Sequence, residues 1–360
     1  MSESRRIPLS ALDTAPVFEG STPTQALRGS LALAPEVKRL GYTRYWFAEH
    51  HNTPSLATSS PAVLIGRVAS LTSTLRVGSG GVMLPNHPPL VVAEQFGTLE
   101  AMYPGRIDLG IGRAPGTDPV TARALRRDAA FDFPQQIAEL VEYFTSSGPG
   151  RPASGIAAIP AHENQPPIWM LGSSPNSARF AGVLGLPFAF AFHFSPHAAE
   201  AALAAYRDAF RPSAHVDRPH AILAGFGIVA ESDDEAEWPA GPVKLFTARG
   251  RQNPHGLFPR PEEAAAYTYS SGESALIREL FGPQLIGSPE TVRKQTVELL
   301  ARTGADELMI ATSVHDHTAR VRSYQLLAEA LAPEGIGAGP RTGIEAQIGR
   351  TGPRTLANRP

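Results

Sequence analysis

The sequence predicts a (β/α)8 barrel. Eight short apolar runs, each followed by a segment with helical periodicity, succeed one another from Ile7 to Leu331. The runs are apolar throughout, as in parallel strands covered on both faces. The first strand-to-helix turn, "LDTAPVFEG", lacks the glycine fingerprint that a doubly wound nucleotide-binding sheet would carry there. A chain of 360 residues fits one barrel with additions.

The elements follow in order. Residues 7–13 read as the first strand. Residues 24–40 read as a helix closed by Gly41, with Pro35 as a misfit expected to kink or break it. Residues 42–48 form strand two. Ser59-Ser60-Pro61 starts a helix running to about Thr72, with proline near the first helical position. Strand three spans 75–84, its helix 88–103, and strand four 105–112. A helix over 134–146 precedes a Pro/Gly-rich loop, 148–166. Strand five (167–172), a helix (175–184), strand six (186–192), a helix (196–210) and strand seven (220–230) follow. After a helix at 233–248, an irregular stretch rich in Gly, Pro, Tyr and Phe, 250–285, forms an insertion between strands seven and eight. A capped helix (288–303), strand eight (306–312) and a closing helix (316–331) complete a barrel domain assigned to 1–332. Residues 333–360, poor in apolar residues, are expected to be a disordered tail.

Composition removes several classes of function. Hydrophobic residues make up 42% and charged residues 18%, enough for a large core. Thirty-four acidic against 32 basic residues give a net charge of −2, without the basic excess of a nucleic-acid binder. With no cysteine, thiolate metal sites and a cysteine nucleophile are excluded. The N-terminus "MSESRRIPLSALD" has no apolar signal core and no run of about 20 apolar residues occurs, so a cytoplasmic protein is expected.

In such barrels chemistry belongs at the C-terminal strand ends, which draws attention to particular residues. "YWFAEHHN" ends strand two in Glu49, His50 and His51. "RVGSGGVMLPNHPP" interrupts strand three with Gly78, Gly80 and Gly81, a pattern that suggests a flat ligand against bare backbone. Arg113 follows strand four and offers a planar fork to an anion. "LGSSPNS" places Gly172, Ser173 and Ser174 at a helix start, where N–H groups and the dipole favour a phosphate. His50, His51, His193 and Asp13 could instead serve a metal-dependent hydrolase. Against that, adjacent strand residues point to opposite sides.

Three stretches, "YWFAEHHN", "GSGGVMLPNHPPLVVAEQFGTLEAMYPGRIDLGIGRAPG" and "LGSSPNSARFAGVLGLPFAFAFHF", resemble the bacterial luciferase-like flavin monooxygenases, and the likeness runs from about Ile7 to Leu331. The resemblance implies a barrel that holds reduced FMN at the strand ends and oxygenates a small organic substrate with O2 through a flavin C4a-hydroperoxide. It implies His50 as the catalytic histidine with His51 beside it. A non-prolyl cis peptide at Ser79–Gly80 would lie under the flavin, with Gly81 next to it. Arg113, Ser174 and Ser177 would bind the phosphate together with Gly172 and Ser173, and Phe192 would lie near the ring. Phe47, Met83 and Phe192 are expected to line the mouth. A separate flavin reductase, a homodimer and, as an alternative cofactor, the deazaflavin F420 belong to the same expectation. The segment 250–285 departs from the long lid of the light-emitting members, so light emission is not inferred.

Overall fold

The computed structural model describes residues 7–125, 132–145, 155–214, 216–250 and 255–332. Eight parallel strand positions close on themselves. They are β1 (Leu9–Asp13), β2 (Arg44–Phe47), β3 (Arg76–Ser79), β5 (Ile107–Gly112), β6 (Ile168–Gly172), β7 (Phe188–Ala191), β8 (Ala221–Val229) and β10 (Glu307–Ala311). Pairing of β10 with both β8 (Leu308 with Leu223) and β1 (Leu308 with Leu9) shuts the barrel.

Each strand shows two environments to its side chains, because successive residues point to opposite faces. Ala11, Tyr45, Phe47, Val77, Leu109, Ile111, Met170, Phe188 and Phe190 point outward and join the helices in one large core. The inward set is smaller: Leu12, Trp46, Ala48, Trp169, Ala189, Ile222, Ala224, Met309 and Ala311. The runs that read as uniformly apolar therefore divide between an outward face packed on the helices and an inward face in which Trp46 and Trp169 stand among smaller residues.

The helices are α1 (Pro23–Arg39), α2 (Pro61–Leu71), α3 (Pro89–Met102), α4 (Pro119–Ala124), α5 (Phe133–Thr145), α6 (Pro175–Val183), α7 (Ala199–Ala209), α8 (Asp233–Arg249), α9 (Pro261–Ala266), α10 (Ser271–Phe281), α11 (Pro289–Thr303) and α12 (His317–Ala330). A Thr22/Gln25 capping box starts α1 and Gly41, at φ +81°, follows its end. Contrary to expectation, α1 runs unbroken through Pro35. The bonds lost there are outweighed by the burial of Leu33, Ala34 and Val37 on either side.

Two further expectations are corrected. Strand three divides: β3 stops at Ser79, and a short β4 (Val82–Met83) resumes the pairing with β5 after a cis peptide that joins Gly80 to Gly81, one residue beyond the bond expected. The stretch 250–285, read as irregular, carries α9, α10 and β9 (Leu285–Gly287), which pairs with the upper half of β8. Its Phe258 and Phe281 pack with Phe18, Ile228, Val243 and Val314. Residues 333–360, expected to be a tail, lie outside the described residues, as does part of the loop 148–166. Among the described residues no helix is long and apolar enough to cross a membrane.

Candidate active site

The mouth of the barrel is lined by the segments that leave β2, β4, β5, β6 and β7. His50 comes three residues after β2, its backbone N–H bonded to Thr58 O at 2.9 Å. Its Nδ1 is buried with no hydrogen-bond partner among the described residues. Burial pushes the imidazole pKa down to about 4; Glu49 pulls the other way, while His193 and His51 add to the depression. At neutral pH His50 is therefore an uncharged ring. His193, partly buried, is also lowered to about 4 by desolvation. Its Nδ1 lies 2.9 Å from Ala224 O, and since a carbonyl only accepts, the proton sits on Nδ1 and Nε2 is the acceptor nitrogen.

Glu49, only 1% exposed, is the polar hub of this region. Its Oε1 receives His51 Nε2 at 2.7 Å, His87 Nε2 at 2.9 Å and Asn86 Nδ2 at 3.3 Å, and its Oε2 receives the Met83 N–H at 3.1 Å. Burial raises its pKa, but the bonds from His51, His87 and Met83 bring it down to about 2. The ligand atoms of Glu49, His51 and His87 lie within 4.8 Å of one another, the only such trio among the described residues.

A second polar group forms where β5 and β6 end. Ile111 is paired with Met170, so Arg113 leaves the end of β5 on the side of the neighbouring strand end at Gly172. Ser174 caps α6 and forms a capping box with Ser177. A β-carbon on Gly172 would stand 2.1 Å from Ser177 Oγ, so only glycine lets the helix start this close to the strand end. Several inward positions near the mouth are small: Ala48, Ala224 and Ala311 on the walls, with Gly80 just past β3 and Gly110 on β5.

A family model for luciferase-like monooxygenases matches residues 9–307. The chain belongs to the luciferase-like monooxygenase family. It is 43% identical over 325 residues to the luciferase-like monooxygenase of Escherichia coli strain K12, covering 89% of this chain and 96% of that one. The crystal structure of apo-MsnO8 superposes with a TM-score of 0.81 at 37% identity, covering 91% and 99%. In fold alone the likeness extends to both flavin classes. One case is the FMN complex of the oxygenating constituent of 3,6-diketocamphane monooxygenase from Pseudomonas putida (TM-score 0.68, 18% identity, covering 92% and 99%). Another is an F420-dependent secondary alcohol dehydrogenase (TM-score 0.63, 15% identity, covering 91% and 100%).

In this luciferase-like monooxygenase the structure gathers His50 and His51 on one segment, and Arg113, Gly172, Ser173, Ser174 and Ser177 at two neighbouring strand ends. Ser79 is fully buried in β3, its hydroxyl exchanging bonds with Gly110 O at 2.8 Å and Gly110 N at 3.0 Å. The glycines have a reason within the protein itself: a β-carbon on Gly78 would meet Asp108 O at 2.5 Å, on Gly80 Leu12 Cδ1 at 2.6 Å, and on Gly81 Gly110 O at 2.8 Å.

Phe192 does not face the mouth. It lies in the turn just past β7, is 2% exposed and packs in the outer core with Phe188 and Phe190. Phe47 is outward by the alternation of β2. Beside His193 stand Phe226, with ring centroids 5.4 Å apart, and the exposed Phe194, at 4.2 Å. Asp13 also points outward, to Tyr45 and to Arg320 at 2.9 Å, so it cannot join a metal set with His50, His51 and His193. The roles of Glu49 as a hub and of His87 as its donor come from the structure, and His193, expected as a candidate metal ligand, stands at the mouth as a ring bonded to Ala224 O. Nothing local in "LPNHPP" points to His87.

Proposed function

We propose that this chain is a monooxygenase that uses reduced FMN and O2 to oxygenate a small, largely apolar organic substrate, with the flavin reduced by a separate reductase and the barrel working as a homodimer. Family membership supports the reaction class. The observation that carries the cofactor reading is a buried, unpartnered His50 Nδ1 at a mouth whose walls carry Ala48, Ala224 and Ala311, with Arg113 leaving β5, the strand next to the one that leads into the capped start of α6.

On this reading Arg113 and the backbone N–H groups at the start of α6 hold the phosphate. The alanines and glycines of the mouth accommodate a planar ring. When bound, reduced flavin supplies the electrons that let one atom of O2 pass to the substrate. His50, uncharged at working pH, offers a hydrogen bond or takes up a proton, with His193 Nε2 as a second acceptor. Phe226 and Met83 keep water from the reacting edge.

The test is oxygen consumption with a flavin reductase, NAD(P)H and FMN across small organic substrates, scored by oxygenated product. Tight uptake of reduced FMN with coupled product supports the reading. Uptake of reduced F420 and not of FMNH2 would replace it with hydride transfer.

A further inference from the structure

Glu49 has no part in the chemistry just described, yet its buried carboxylate accepts four hydrogen bonds. Its four donors come from three places: His51 beyond β2, Met83 in β4, and Asn86 and His87 in the turn that follows. The same groups reach onward to the loop after β5. Asn86 Nδ2 also donates to Pro115 O at 2.9 Å, the His51 N–H donates to Gly116 O at 3.1 Å, and Thr117 Oγ1 donates to His51 O at 2.7 Å. Asn52 Nδ2 donates to Asp118 Oδ2 at 3.0 Å. Gly116, at φ +62°, lies so close that a β-carbon would stand 2.7 Å from Glu49 O. That loop begins with Arg113, and Glu49 adjoins His50 in sequence.

Resting on the FMN reading above, we propose that Glu49 is the positioning residue of this site. Its carboxylate holds Asn86 and His51, and these in turn bond Pro115, Gly116 and Thr117, so that Glu49 links the His50 segment to the Arg113 loop indirectly and the phosphate grip and the catalytic imidazole keep a fixed spacing.

The same three residue types are zinc ligands, and the geometry separates the two uses. Ligands about 2.0–2.1 Å from a tetrahedral ion stand roughly 3.3–3.4 Å apart. Here both imidazole nitrogens approach one oxygen at 2.7 and 2.9 Å, which are hydrogen-bond lengths, and Asn86 and Met83 occupy further acceptor directions of the carboxylate. The arrangement is that of an acceptor among donors.

The experiment compares the intact chain with Glu49→Gln, His87→Ala and His87→Gln, first without flavin. Hydrogen–deuterium exchange is followed at residues 83–87 and 113–118, with α11 and α12 as remote controls. Glu49→Gln and His87→Ala should speed exchange in both segments by about tenfold or more, the size of losing a hydrogen bond to a charged group, and leave the controls unchanged. His87→Gln, which keeps an N–H for Glu49, should restore most of the protection. With flavin, the first two variants should bind reduced FMN more weakly and release more H2O2 per flavin oxidised. Wild-type exchange in Glu49→Gln, or His87→Gln no better than His87→Ala, overturns the proposal. So does a one-to-one zinc complex of the wild type that His87→Gln abolishes, which would make the trio a metal site. Failure of the wild type to take up reduced FMN would defeat the functional reading; the flavin-independent exchange data would still decide whether Glu49 ties the two segments together.

Discussion

Arg44 on β2 reaches across β1 to Glu307 on β10, its guanidinium Nε 2.9 Å from Oε1. The pair belongs to a polar layer that fills the bottom of the barrel. Arg44 also donates to Asp108 Oδ2 at 2.8 Å and lies 4.7 Å over the Trp169 ring, Arg76 Nε donates to Asp108 Oδ1 at 3.0 Å, and Trp46 Nε1 donates to Asp108 at 3.0 Å. Burial alone would raise both carboxyl pKa values. Arg76 and Arg44 instead hold Asp108 at about 2, and Arg44 with His220 lowers Glu307. Removing one cation leaves buried charge uncompensated, which costs about 3–5 kcal/mol. Arg44→Met should lower the urea midpoint by that amount of stability. A loss under about 1 kcal/mol would mean that the layer does not depend on the guanidinium.

Two glycines give opposite expectations under the same substitution. Gly29 sits inside α1 with nothing within 4 Å of a β-carbon, so Gly29→Ala should stabilise by about 0.5–1 kcal/mol through helix propensity and a less flexible unfolded chain. A β-carbon on Gly110 would stand 2.0 Å from Ser79 O in the adjacent strand. Gly110→Ala should destabilise by about 3 kcal/mol or more, the upper end of overpacking. Thermal melts of the two variants check the pair, and shifts in the same direction would contradict this account of the barrel interior.

What could be read beforehand follows from how local each signal is. Strand and helix positions are written in short windows, and proline or glycine marks their ends, so β2, β5, β6 and α6 lie close to where the sequence puts them. Pro35 misled because burial on both sides of it, a tertiary effect, outweighs a local preference. Phe192 sits in the turn past β7, where residue type alone does not tell which side a ring takes. The bonds from His87 and Asn86 to Glu49 join residues 37 or 38 apart in the chain, and Arg44 joins Glu307 across 263. Contacts of that kind have no signature in a single sequence until the barrel brings β10 beside β1.

The two mouth histidines give the chain an acid-sensitive stability. His50 and His193 have folded-state pKa values of about 4 against an ordinary 6.5. Between those values the unfolded chain binds protons that the folded chain refuses. Stability therefore rises with pH through the window from about 4 to 6.5 and is fully present above it, with each histidine contributing a slope of up to about 1.4 kcal/mol per pH unit. Glu49 acts in a lower window: with its pKa held at about 2, its contribution is present above about 4.5 and disappears as pH falls through 2. Urea unfolding of the wild type and His50→Gln at pH 4.5, 5.5 and 6.5 should show the variant with about one proton less of dependence. An unchanged slope would mean that His50 titrates normally and is not desolvated.

Arg113 separates a phosphate grip from a general affinity for flavin rings. It leaves the end of β5 on the side of the strand end at Gly172, which leads into α6, and at the N-terminus of α6 anionic oxygen is favoured by the helix N–H groups as well as by the guanidinium. A hydrogen bond to a charged group contributes about 1.5–3 kcal/mol, so Arg113→Ala should weaken FMN binding roughly 10- to 150-fold. Riboflavin carries the same ring without the phosphate and gains nothing from the guanidinium, so its affinity should be nearly equal in wild type and variant. Fluorescence titration of both ligands on both proteins gives the four constants needed. An FMN affinity untouched by the substitution would remove Arg113 from the cofactor site, and an equal loss for riboflavin would show that the side chain supports the mouth as a whole and does not read the phosphate.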